Sequence, residues 1–346
     1  MLNNFYNKVR NTILHSYSLR KFIYLLFSQH FFYSSKLVNF IYDRKITRAQ
    51  KFFFNKPEGV EIELTSHCNV ACGFCPHPKM ERTKGIMSIE LIKKIIDDCS
   101  TIGINDILFC GFGEPLLDKR LPEIILYAKE KKINRTRITT TGYLLNKDLA
   151  KKIFSSGLDE ISLSVDATTS VTYDQVRKIK TPLKNHSSHF DVISDNIKDL
   201  VSLFKEENFN TRVHLRFLVT NDNQSEVQEF QKKFANLHDK ILTEFWFNLH
   251  NWTDSLQISA KPKGVQKPCH NLWTGLIFRY NGDVSLCCLD YENKEVMGNI
   301  KTHSISEIWQ NEKFKRFRAL HNKRELNQIN LCKDCHIPYL KSGNWI

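Results

Sequence analysis

The 346 residues of this chain are enough to bury a large core and to form more than one domain. Its 41% hydrophobic and 25% charged residues are those of an ordinary soluble globular protein, and no uninterrupted apolar run reaches membrane-spanning length. Ten cysteines without a secretory signal pattern point to metal binding in the cytoplasm and argue against a secreted, disulfide-stapled fold.

The net charge of +13 is unevenly spread. Residues 1–57 carry Lys8, Arg10, Arg20, Lys21, Lys36, Arg44, Lys45, Arg48, Lys51 and Lys56 against a lone Asp43, interleaved with aromatic residues such as Phe22, Tyr24, Phe27, Phe31, Phe32 and Phe52 to Phe54. Two readings stay open for this extension. It is a small helical element packing its aromatic face on the main domain, or a peripheral contact with the inner face of a membrane. Nucleic acid ranks below both, because no recognisable binding module accompanies the charge.

Residues 60–64 alternate polar and apolar as a strand does. They lead into Cys68-Asn69-Val70-Ala71-Cys72-Gly73-Phe74-Cys75, three cysteines in one short loop. Such a loop can wrap three thiolates around three irons of a [4Fe-4S] cube and leave the fourth iron open to a ligand that is not protein. The competing readings are a zinc site completed by His67 or His77, and a disulfide. Zinc favours paired C-x-x-C spacing, and a disulfide strands one of the three thiols.

Ser88 is placed to cap a helix reaching about Cys99, and 106–110 reads as the next strand. Pro122 marks the first turn of a helix through Lys131. Strand 135–140, helix 147–156, strand 160–165, helix 192–207, strand 212–219, helix 225–237 and strand 242–248 follow. Strands alternating with helices predict a parallel α/β sheet built from βα units. Cys99 and Cys110 read as buried apolar fillers. Tyr173, Arg177, His214 and His250 are polar enough to line a pocket, but read as surface or packing residues.

Past residue 256 this rhythm stops, and 261–264 reads as a linker. Asn281-Gly282 marks a hairpin turn between apolar runs. Cys269, the pair Cys287-Cys288, and Cys332-x-x-Cys335 form a second set, and Ser306 to Trp309 reads as a short helix.

The C-x-x-x-C-x-aromatic-C pattern, with Phe74 in the aromatic slot, Thr65 and Asn69 around Cys68, and Pro76 after Cys75, resembles the cluster loop of the radical S-adenosylmethionine (SAM) enzymes. Gly111-Phe112-Gly113-Glu114-Pro115 resembles that family's Gly-Gly-Glu-Pro element, with Phe112 in place of a glycine. Thr139-Thr140-Thr141-Gly142 resembles its Thr-Asn-Gly turn. The resemblance implies a partial (βα)6 TIM-like barrel over 58–255, with chemistry at the C-terminal strand ends. It implies a cluster on Cys68, Cys72 and Cys75. It also implies SAM contacts among Phe74, Gly111, Gly113, Glu114, Pro115, Thr140, Ser164, Asp166 and Arg216, with Glu114 facing the ammonium.

Residues 256–346 resemble the SPASM domain appended to many such enzymes, in its shorter "twitch" form. The resemblance implies one closed auxiliary [4Fe-4S] cluster on Cys269, Cys287, Cys332 and Cys335, against the alternative of a four-cysteine zinc ribbon. A flavodoxin- or ferredoxin-type electron donor is implied. So is a radical oxidation or epimerisation of a sugar-like, cyclitol-like or lipid-linked small molecule. A peptide maturase and a non-enzymatic iron–sulfur protein are the alternatives. The sequence names no acid or base.

Overall fold

The computed structural model describes residues 36–183, 185–246, 267–333 and 335. Most of the basic extension, the expected linker, His250 and the end of the sixth strand lie outside the described residues. Helix α1 (Lys36–Phe52) comes first. Six parallel strands follow: β1 (Gly59–Ile62), β2 (Asp106–Phe109), β3 (Arg135–Thr140), β4 (Glu160–Ser164), β5 (Arg212–Leu218) and β6 (Ile241–Trp246). They pair in chain order from β6 to β1. The intervening helices are α2 (Ile89–Ile102), α3 (Leu121–Glu130), α4 (Lys147–Ser155), α5 (Ser170–Arg177), α6 (His189–Glu206) and α7 (Val227–Phe234).

Local chemistry accounts for these elements. Ser88 caps α2 by accepting from the Leu91 amide, and Gly103 ends it at φ +72°. Between these caps Ile92, Ile95, Ile96 and Cys99 fall on one fully buried face. Asn146 and Ser188 cap α4 and α6 in the same way. Alternate strand residues Ile62, Phe109, Ile138, Leu163, Leu215 and Phe217 are buried in the core that the helices cover. The intervening positions, among them Glu61, Arg137, Ser162, His214 and Arg216, point to the opposite face, the lumen.

The C-terminal region continues this same sheet. Strand β7 (Gly275–Phe278) pairs in parallel with β1, Val60 opposite Leu276. Strands β8 (Asp283–Ser285) and β9 (Val296–Asn299) add on antiparallel, giving nine strands in the order β6-β5-β4-β3-β2-β1-β7-β8-β9. The β7–β8 turn holds Gly282 at φ +89°, as the Asn-Gly pair predicts. Helices α8 (Ile305–Trp309), opened by a Ser304–Glu307 capping box, and α9 (Glu312–Asn322) complete this part.

Helix α1 packs on the C-terminal part through Tyr42, Ile46 and Ala49. The Tyr42 hydroxyl donates to the Pro268 carbonyl at 2.9 Å, and Lys267 pairs with Asp43 at 2.8 Å. Of the expected aromatic packing face, the part within residues 1–35 lies outside the described residues; Phe53 is half-buried against the core. Phe40, Phe52 and Phe54 stay outside, 55, 64 and 68% exposed. Among the described residues, no helix is long and apolar enough to cross a membrane.

Candidate active site

The three-cysteine loop sits at the C-terminal end of β1 and is hung on the end of α5. The Ala71 amide donates to the Lys178 carbonyl, the Gly73 amide to Val176, and the Lys180 amide to Asn69, all at 2.9–3.1 Å. Burial pushes the Cys68 thiol up to about 12, and neighbouring Glu114, Cys72 and Cys75 push it the same way. Burial, then Cys72, pushes Cys75 up to about 11. Cys68 and Cys75 thus sit in a low-dielectric pocket, where their thiolates form only against a metal charge.

Arg177, expected as a surface or packing residue, packs buried beside this loop. Its Nη1 donates to the Cys72 sulfur at 3.4 Å, its Nη2 pairs with the buried Asp166 carboxylate, and its guanidinium lies 5.3 Å from the centre of the Phe74 ring. The Asn69 side-chain amide, the Arg177 Nε and the Tyr173 hydroxyl are buried here without protein partners. An orphaned buried polar atom costs about 1–3 kcal/mol, so this cluster of them fits a polar group bound beside Cys72. Among the described residues, no three His, Cys, Asp or Glu side chains close round a single metal ion. A cube takes its thiolates at separate corners, wider apart than a zinc ion holds them.

The residues after β2, β3 and β4 form the rim. Glu114 is 2% exposed, and its carboxylate accepts from the Thr140 hydroxyl, from the Thr141 amide and hydroxyl at 2.8 and 2.9 Å, and from the Leu116 amide at 3.1 Å. Those four bonds use its acceptor positions and let Glu114 brace β2 to β3. Pro115 opens the one-turn helix that Glu114 caps. Gly113 is required by contact. A side chain there would lie 2.0 Å from the Thr65 carbonyl, on the segment entering the cysteine loop. At Gly111 the nearest obstacle is the Glu63 side chain, 2.7 Å away.

Asp166 stands at φ +60° after β4, and its carboxylate is taken by Arg177 and by the Leu218 amide at 2.6 Å. These two bonds fix its carboxylate between α5 and β5. Ser164 is half-buried at the strand end, opposite Arg216 of β5. Arg216 pairs with Glu244 at 2.7 Å and lies over the Trp246 ring, which balances its charge within the lumen. Burial pushes Glu244 up, but Arg216 and His214 outweigh this and hold it at about 2. Cys99 is core, as expected. Cys110 is not an apolar filler, since it lies in the lumen beside Glu61 and Arg216.

The second cysteine set lies under the β7–β8 hairpin. Cys269, Cys287, Cys332 and Cys335 line one small cavity with Leu272 and Leu286. Cys288 does not line it and lies towards Glu61. Burial and the facing sulfurs push Cys269 and Cys332 each up to about 12. Four thiols on an apolar cavity suit a closed cluster. The two centres are joined through side chains. Buried Glu63 pairs with Arg82 at 2.7 Å and with Arg279 at 3.4 Å, and Arg279 donates to the Asp290 carbonyl at 2.8 Å. Phe112, in the family's glycine position, packs edge-on against Tyr291.

Sequence reasoning missed α5 and the roles of Arg177 and Tyr173. The one signal for α5 was Thr169, which caps it by accepting from the Thr172 amide.

A polar rim round three buried thiols, at the C-terminal ends of parallel strands, defines a cluster-bearing α/β enzyme. The Radical SAM superfamily model matches residues 62–234, and that of an iron-sulfur cluster-binding domain, SPASM, matches 269–336. The chain belongs to the radical SAM superfamily and is a radical SAM enzyme with a C-terminal SPASM domain. Membership brings SAM, a [4Fe-4S] cluster and an auxiliary iron–sulfur cluster.

A probable GTP 3',8-cyclase of Saccharolobus islandicus is 32% identical over 185 residues, 53% of this chain and 55% of that one. A PqqA peptide cyclase of Granulibacter bethesdensis is 35% identical over 109 residues, 31% of this chain and 29% of that one. The chain thus spans about half or less of the length of these curated relatives. The fold is similar to that of anSMEcpe with bound AdoMet, with a TM-score of 0.59 at 16% identity over 82% of this chain and 94% of that one. It is also similar to BtrN in complex with AdoMet and 2-DOIA, with a TM-score of 0.54 at 20% identity over 82% and 97%.

Proposed function

We propose that this enzyme oxidises or epimerises a small polar molecule of the sugar or cyclitol kind, held in the barrel lumen, and takes its electrons from a flavodoxin- or ferredoxin-type donor. Cys68, Cys72 and Cys75 would hold the SAM-binding cluster, and Cys269, Cys287, Cys332 and Cys335 the auxiliary one. Bound there, these groups supply an electron and a carbon radical able to take hydrogen from an unactivated C–H bond. The chain's own residues position that chemistry. Glu114 and the threonines of β3 fix the rim, Gly113 lets the rim close on the cysteine loop, and Arg177 holds a positive charge at Cys72.

What supports a small polar substrate is the lumen itself. Glu61, Arg137, His214 and the Arg216–Glu244 pair line it with ionisable groups. The segment after β8 is pinned across the β1–β2 side, where the Arg82 Nε donates to the Tyr291 carbonyl and Glu292 accepts from the Glu81 and Arg82 amides. That cover narrows the approach and suits a compact substrate better than a chain. The second reading, modification of a peptide, draws on the PqqA peptide cyclase and on the likeness of fold to SuiB bound to precursor peptide SuiA, with a TM-score of 0.57.

The test is isotopic. Extract from cells grown in deuterated medium is split into a small-molecule filtrate and a peptide fraction, and each is incubated anaerobically with enzyme, SAM and reductant. Deuterium in the released 5′-deoxyadenosine from the filtrate alone supports the reading. Deuterium from the peptide fraction alone replaces it with the second.

A further inference from the structure

We infer that the outward face of α1 docks the enzyme on an anionic lipid bilayer. One side of this helix is committed to the protein through Tyr42, Ile46 and Ala49. The opposite side, at helical spacing, presents Phe40, Ile41, Arg44, Arg48, Lys51 and Phe52, all exposed, and Phe54 follows just beyond its end. The arginines are stacked on the phenylalanines. The Arg44 guanidinium lies 5.1 Å from the centre of the Phe40 ring, and that of Arg48 lies 5.3 Å from Phe52. Cation and ring therefore sit at one level, as a headgroup–acyl boundary requires of side chains that meet phosphate and hydrocarbon together.

Charge selects among occupants. Asp43 is the sole acidic residue of α1, and Lys267 neutralises it. Residues 1–35 contain Lys8, Arg10, Arg20 and Lys21 and no acidic residue, so they bring no countercharge to this face. A second copy presenting the same face repels it likewise. Duplex nucleic acid supplies phosphate but no apolar phase for Phe40, Ile41, Phe52 and Phe54. An anionic bilayer supplies both, and each basic residue near its surface strengthens binding by about fivefold.

The experiment sediments the full-length, cluster-loaded protein with vesicles of phosphatidylcholine alone, or mixed equally with phosphatidylglycerol, at low and high salt. The expected result is at least about tenfold tighter binding to the anionic vesicles, lost at high salt. Arg44→Glu/Arg48→Glu should weaken that binding by at least about tenfold and Phe40→Ser/Phe52→Ser by at least about fivefold. Both variants should still release 5′-deoxyadenosine from SAM, which shows that they fold. Equal binding to both vesicle types overturns the inference. So does undiminished binding by both variants, which moves the contact to residues 1–35. Preference for heparin or duplex DNA over anionic vesicles, or self-association that the variants abolish, overturns it as well.

Discussion

The two cysteine centres of this molecule lie in loops flanking the neighbouring strands β1 and β7–β8, and differ in what surrounds the sulfur. Around Cys68, Cys72 and Cys75 the packing is polar and incomplete, with Asn69, Tyr173 and Arg177 each keeping a buried polar atom without a protein partner. Around Cys269, Cys287, Cys332 and Cys335 the cavity is walled mainly by leucines, with the buried His321 as its chief polar neighbour. A set of three thiols in polar surroundings leaves a coordination position and supplies groups to receive what fills it. A set of four in apolar surroundings closes its metal off. This is the distinction between catalytic and structural metal sites, carried by side-chain count and polarity. If it holds, damage to the first centre removes the chemistry, and damage to the second removes mainly stability and electron transfer.

The largest test of that contrast is Cys72→Ala. SAM cleavage should fall to background while the second centre keeps its metal, so iron should drop from about eight to about four per chain. Anaerobic iron and sulfide analysis with 5′-deoxyadenosine assay reads both quantities. Cleavage retained in this variant defeats the assignment of the first centre.

Gly113→Ala comes next. The added methyl meets the Thr65 carbonyl at 2.0 Å and that of His67 at 2.7 Å, and neither backbone atom can rotate away. We expect about 1–3 kcal/mol of lost stability and reduced iron at the first centre alone. Denaturant unfolding and iron analysis check it.

Arg177 separates support from tuning. Arg177→Gln leaves Asp166 buried with no counterion, a loss of about 3–5 kcal/mol. The double variant Asp166→Asn/Arg177→Gln removes both charges and should recover most of that stability. In both variants the cluster should be harder to reduce, because a positive charge and a hydrogen bond to the Cys72 sulfur are gone. A redox titration followed by electron paramagnetic resonance decides. An unchanged potential in the double variant reduces Arg177 to a structural role.

How much of this was legible in the sequence follows from how far apart the interacting residues lie. The cap at Ser88 and the Asn281-Gly282 turn depend on neighbours a few positions away, and both took the expected form. Helix α5 escaped because its threonine-rich start shows no apolar periodicity; its Thr168, Thr169 and Thr172 are instead gathered by Glu226 from another part of the chain. The roles of Glu114 and Asp166 escaped for the same reason. Their partners come from the following strand and helix, and the sequence showed only polar residues at strand ends. Pairing of β7 with β1 is longer in range still, and no local signal marked the strand by which the C-terminal SPASM region joins the sheet.

On the auxiliary side, Cys332→Ala should empty the second centre but change SAM cleavage without substrate by no more than about threefold, while lowering thermal stability. Substrate turnover should fall much further if that cluster carries an electron. Loss of both activities together would show that the first centre depends on the second through the Glu63–Arg279 link.

The smallest effect concerns the lumen between the centres. Glu244 is held at about 2 in the fold, below its ordinary value of 4.5, so the unfolded chain binds its proton first as pH falls. The stabilisation is complete above about pH 4.5 and is lost as pH drops towards about 2. By about pH 4 roughly 1 kcal/mol should be gone relative to about pH 6. Glu244→Gln should remove that part of the acid sensitivity, measured as a smaller shift of the urea midpoint over the same interval. An identical shift in the variant would place the acid-sensitive carboxylates elsewhere and leave Arg216 balanced by something other than Glu244.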